Sequence, residues 1–71
     1  MKVEVFATDI KNSNEANIIS GLLHLCFPNL KANVDLDDID RVLRIESIDG
    51  SLNVGDLINY VKSLGYQIRL L

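Results

Sequence analysis

The side chains able to do chemistry fall into three small groups. Cys26 and His24, the only cysteine and the only histidine, stand two residues apart, and a thiol beside an imidazole suits a soft metal ion or a nucleophile with its base. On a helix, however, that spacing turns them about 200° apart, so they do not easily share an ion. Cys26 reads instead as a small core residue on an apolar stripe and His24 as a surface or boundary residue. The second group is Asp35, Asp37, Asp38 and Asp40, oxygen donors of the kind a hard cation such as Ca²⁺ takes. Strand alternation aims Asp35 away from its neighbours, and the glycine and distal glutamate of an EF-hand loop are missing. A solvated acidic turn is expected, one that attracts a basic partner or repels a wrong one.

The third group is the stretch Asp9-Ile10-Lys11-Asn12-Ser13-Asn14-Glu15. Asn12 followed three residues later by Glu15 is a helix-capping pair: the amide accepts from an orphan helix N–H, and the carboxylate faces the positive end of the helix dipole. Helix N-termini favour anions, which Glu15 opposes here. No serine or cysteine stands in a motif that supplies it with a base, and no glycine-rich phosphate loop is present. The chain is therefore expected to be non-catalytic and to take no cofactor.

The elements that position these groups follow from periodicity. Residues 3–8 alternate with period two, which predicts a strand with Val3, Val5 and Ala7 on one face and Glu4, Phe6 and Thr8 on the other. Phe6 breaks the pattern, so either the open sheet face carries an aromatic or the strand is bulged. A helix is predicted over 13–26, with Ala16, Ile19, Leu22, Leu23 and Cys26 as its apolar stripe, stopped at Phe27-Pro28-Asn29. Residues 31–36 and 41–47 read as two strands joined by the acidic turn, hence an antiparallel hairpin. Val42, Arg44 and Glu46 face out. Asn53 and Asp56 repeat the capping pair and open a second helix to about Leu64, with Gly65 in the left-handed position after it. Tyr66 to Leu70 is the last predicted strand. The order βαββαβ with right-handed crossovers predicts an α+β, ferredoxin-like plait, a four-stranded antiparallel sheet in order 4-1-3-2 with both helices on one face.

Seventy-one residues at 48% hydrophobic are expected to make a single domain over residues 1–71. Net charge is −3 and the seven basic residues form no run, which argues against a nucleic-acid partner. No apolar run approaches the roughly 20 residues of a membrane span and nothing resembles a secretory signal, so the expected compartment is the cytoplasm. One cysteine rules out an internal disulfide framework.

The first strand and turn, the Leu30–Glu46 hairpin region and the closing Lys62-Ser63-Leu64-Gly65-Tyr66 resemble heavy-metal-associated domains, the family of copper chaperones and of the soluble modules of metal-pumping ATPases. The family's motif is a methionine, any residue, a cysteine, two residues and a second cysteine, whose two thiolates hold Cu(I). Its methionine falls here at Ile10, which can fill the same apolar space under the loop. Its two cysteines fall at Asn12 and Glu15, neither of which supplies a thiolate, and Tyr66 matches a tyrosine beside the family's metal loop. The resemblance implies a retained fold with a replaced metal site. It points to a protein-interaction or scaffold module using Ile10, Lys11, Asn12, Ser13, Asn14, Glu15 and Tyr66. The alternative it leaves is a metal-related protein with harder ligands from Glu15, Asn12 or Asp9. A protein partner is expected, and a homodimer through the open sheet face, where Phe6 and Val42 would be neighbours, or through a sheet edge.

Overall fold

The computed structural model describes residues 2–71. In chain order the elements are β1 (Lys2–Thr8), α1 (Ser13–Cys26), β2 (Leu30–Asp35), β3 (Val42–Ser47), α2 (Val54–Ser63) and β4 (Ile68–Leu70). The strands form one sheet in the order β2-β3-β1-β4 with every neighbouring pair antiparallel, which is the ferredoxin-like arrangement expected from the sequence. Both helices begin where expected. Asn12 Oδ1 accepts from Glu15 N–H at 2.9 Å, and Asn53 Oδ1 accepts from Asp56 N–H at 3.0 Å, each satisfying a backbone donor that the first helical turn leaves open.

A single core fills the space between the sheet and the two helices. Phe6, Leu30, Leu43, Ile45 and Ile68 meet Ala16, Ile19 and Leu23 of α1 and Leu57 and Val61 of α2, so both helices lie on the same face. Complete burial of one such side chain contributes roughly 1.5–3 kcal/mol, and in a domain this small each of them matters.

Three expectations need correction. Phe6 does not sit on the open face: it is fully buried and pairs across the ladder with Leu43. The strand has no bulge, since its register with β3 is continuous. As a central strand, β1 has apolar residues on both sides; Phe6 takes the helix-covered one, where a bulky ring gains most, and Val3, Val5 and Ala7 take the other. Phe6 and Val42 are therefore not neighbours on the open face. Cys26 is exposed rather than a core residue. It is the last residue of α1, and the space beneath the helix end goes to Phe27, whose ring meets Tyr60 edge-on at 5.7 Å. The last strand is shorter than predicted. It begins at Ile68 because Gln67 N–H is spent on a side chain of the β1–α1 loop, Asp9 Oδ1.

Candidate functional site

The loop between β1 and α1 is fixed from below, from within and from two neighbouring loops. From below, Ile10 is completely buried in the core. From within, Thr8 Oγ1 receives Ile10 N–H at 3.3 Å, and Asn12 caps the helix. From one side, the α2–β4 connection reaches across: Gln67 N–H donates to Asp9 Oδ1 at 2.9 Å, and Tyr66 Oη donates to Glu15 Oε1 at 2.8 Å. Gly65, at φ +97, makes the turn that aims these two residues, a conformation easy for glycine alone. From the other side comes the β2–β3 turn. Thr8 N–H donates to Asp40 O at 2.9 Å, Thr8 Oγ1 donates to Arg41 O at 2.6 Å, and Arg41 Nη1 donates to Lys11 O at 3.0 Å. Arg41 adopts φ 47, an uncommon conformation for a residue with a side chain, and these two bonds hold its carbonyl and guanidinium against the loop.

Glu15 is the electrostatic centre. Oε1 accepts from the Tyr66 phenol and Oε2 from Asn12 Nδ2 at 3.3 Å, while the whole carboxylate faces the α1 N-terminus. The hydrogen bond to Glu15 pushes the Tyr66 phenol above its ordinary pKa, with burial and the charges of Glu15 and Asp9 adding to the shift; deprotonation there would place a phenolate against a carboxylate. The structure thus brings Ile10, Asn12, Glu15 and Tyr66 into one assembly. Lys11, Ser13 and Asn14 point outward and are exposed.

Charge collects at this end. Six of the ten acidic residues lie at this end, Asp9 on the loop, Glu15 in the first turn of α1, Asp35 at the end of β2 and Asp37, Asp38 and Asp40 in the turn after it; with Lys11, Arg41 and Arg69 among them, the excess negative charge of the chain still falls here. The aspartates of the turn are engaged locally: Asp35 Oδ1 accepts from Asp37 N–H and Asp38 Oδ1 from Asp40 N–H. Among the described residues no three His, Cys, Asp or Glu side chains converge as a metal site would require. Between the turn and β4 lies a depression of about 250 Å³, bordered by Ala7, Asp9, Ile39 and Arg69, smaller than the usual small-molecule pocket of about 300–1,000 Å³. Ile39 at the tip of the turn is 94% exposed, an apolar side chain in an acidic setting that sequence reasoning did not single out.

A second polar assembly, at the opposite end of the sheet, was also not foreseen. Asp49 Oδ1 accepts from Asn29 Nδ2 at 3.0 Å, Ser47 Oγ at 3.0 Å and Ser51 N–H at 2.9 Å, and Asn29 Nδ2 also reaches Ser51 O at 2.8 Å. The Asn29 bond leads the group of donors that hold the Asp49 carboxyl below its ordinary pKa. Ser47 is fully buried, and the network satisfies its hydroxyl while tying the α1–β2 corner to the β3–α2 loop, where Gly50 turns at φ +79. The Asp-Gly pair announced a loop, but nothing local announced its partner Asn29 20 residues earlier.

Fold and loop together define a small α+β plait carrying one rigid, acidic, solvent-facing turn cluster. Among known protein families, curated proteins and solved structures, none matches this chain.

Proposed function

We propose that this chain is a non-catalytic protein-interaction module of heavy-metal-associated type, docking a basic protein segment at the end formed by residues 10–15, the 35–41 turn and Tyr66. The observation that carries the reading is the way the loop is built. Its backbone and buried side chain are fastened by Tyr66, Gln67, Arg41 and Ile10, while Lys11, Asn12, Ser13 and Asn14 remain exposed. A surface already held in one conformation loses little freedom on binding. The clustered carboxylates favour a cationic partner and speed its encounter, and Ile39 offers an apolar contact among them.

The competing reading, a harder ion bound through Glu15, Asn12 or Asp9, is less well supported. Both Glu15 oxygens, Asn12 Oδ1 and Asp9 Oδ1 already accept hydrogen bonds from the protein, so an ion there would compete with donors that hold the loop and the last strand in place.

One pair of measurements tests the proposal. Affinity capture with cross-linking identifies the footprint of a bound protein; a footprint on residues 10–15, 35–41 and 66 is expected, and one wholly elsewhere refutes the reading. Titration of the ¹⁵N–¹H correlation spectrum with Cu(I) and then Zn²⁺ under reducing conditions should leave residues 9–16 and Tyr66 unmoved. Saturable shifts there that disappear in Glu15→Ala would establish the metal reading instead.

A further inference from the structure

The sheet has two free edges, and they differ. β4 has three residues, the short form in which edge strands are usually kept from pairing. β2 has six, Leu30–Asp35, in unbroken register with β3, with no proline and no bulge. The Asn29 carbonyl accepts from Ile48 N–H, and this sets the phase of the ladder. The directly bonded pairs are Asn29–Ile48, Lys31–Glu46, Asn33–Arg44 and Asp35–Val42. Leu30, Ala32 and Val34 therefore turn their backbone groups away from the sheet. Leu30 N–H is taken by Phe27 O; Ala32 and Val34 keep an N–H and a C=O each for a further strand. Their side chains, with that of Leu36, pack against the core yet stay half-exposed, because no further strand or helix covers them on that side.

We infer that this edge pairs with the same edge of a second copy, β2 antiparallel to β2 about a two-fold axis through Asn33. The occupant is specified by charge and by hydrogen-bond phase together. With Asn33 opposite its own copy, Ala32 lies opposite Val34 of the other chain and the two exchange both backbone bonds, twice over by symmetry. The same register sets Lys31 opposite Asp35 of the other chain, also twice, at the non-bonded positions where side chains come closest. Both residues are exposed on the open face, and among the described residues Lys31 makes no ion pair. The two nearest registers that keep the outward groups in phase lose this match. One sets Lys31 opposite Asn33 and leaves Asp35 unmatched; the other sets Asp35 opposite Asn33 and Lys31 level with Asp37, which lies past the end of β2 in the turn. The product is an eight-stranded sheet, with Ala32, Val34 and Leu36 covered from the side. A contact of this extent belongs to the small, reversible class, below about 1,200 Å². The backbone bonds run along the outer edge of β2, and only Asp35 and Leu36 are shared with the docking surface proposed above; the exchange readout at Ala32 and Val34 lies outside that surface.

Analytical ultracentrifugation from 10 µM to 1 mM, with amide exchange at both ends of the range, tests it on the intact chain. The expected result is reversible dimerisation in which exchange at Ala32 and Val34 slows as concentration rises, while Lys31 and Asn33, already bonded within the monomer, change little. Lys31→Asp alone should weaken association by about tenfold or more, because two attractive pairs become two repulsive ones; Lys31→Asp with Asp35→Lys should restore it to within a few-fold. The ¹⁵N–¹H spectrum at 10 µM verifies that each variant is folded. A wild-type chain still monomeric at 1 mM overturns the inference. So does association that ignores the single reversal, or slowed exchange appearing on β4 or on the outer face of α1 in place of β2.

Discussion

Ile10 offers the most direct test of how the exposed turn is held. It belongs to no helix or strand, yet none of its surface reaches solvent. Ile10→Ala removes three carbons from a closed site, worth about 0.8 kcal/mol each in lost burial, and the cavity left behind adds to that. The expected destabilisation is about 3–4 kcal/mol, within the 2–5 kcal/mol that such truncations cost in packed cores. For a domain of this size each kcal/mol lowers Tm by about 4–8 °C, so the variant should melt on the order of 12–30 °C lower. Ile10→Met keeps the volume and should cost less than about 1.5 kcal/mol. The assay is urea unfolding followed by circular dichroism at 25 °C with a common m value, alongside amide exchange of Glu15 and Ala16, whose N–H groups are bonded to Asn12. In Ile10→Ala those two amides should exchange faster than the global loss of stability explains, because the anchor beneath the loop is gone. If Ile10→Ala costs under about 1 kcal/mol, the truncation range for buried aliphatic residues does not apply and the loop is held by its hydrogen bonds alone. The reasoning from burial then fails.

Three further outcomes are expected. Asn12→Ala should cost about 1 kcal/mol by loss of the cap and Asn53→Ala a similar amount, both read by urea unfolding; a null effect at both would show that the caps are redundant. Ser47→Ala should cost about 1 kcal/mol, since the buried hydroxyl shares its one proton between Asp49 Oδ1 and Ser51 O, and the Asp49 carboxyl followed by NMR should then titrate closer to its ordinary value. The pH dependence has opposite signs at the two ends of the sheet. Asp49 is lowered in the folded chain, so its contribution is present above its unfolded pKa and disappears as pH falls through the folded value. Tyr66 is raised, so its contribution is complete below the ordinary phenol pKa and disappears as pH rises through the folded value; Tyr66→Phe should abolish that alkaline loss in a pH series of unfolding curves.

What could be read from the sequence was what is decided locally. The Asn12–Glu15 and Asn53–Asp56 caps, the left-handed Gly65 and the strand order each depend on residues close in the chain or on general topology. The side of the sheet taken by Phe6 was not legible, because alternation fixes two faces without saying which is covered, and three apolar residues opposite outvoted one aromatic. Cys26 was misplaced because helical phase continues to the last turn of α1 although the core beneath it does not. The grouping of Tyr66 with the turn was expected on resemblance alone, but its bond to Glu15 joins residues 51 apart. The Asp9 bond that delays β4, and the Asp49 network, likewise join segments that only the folded chain brings together.

The strand order has a consequence for the chain as an object that can be divided. In the sequence β2-β3-β1-β4, the strands of the first half never touch one another, and neither do those of the second; every ladder joins one half to the other. A cut in the exposed turn at residues 37–39 would therefore give two fragments, each without a single native strand pairing of its own. Neither should be structured alone, and mixing should restore both at once. The fold would then serve as a split reporter, its two pieces ordered only in each other's presence.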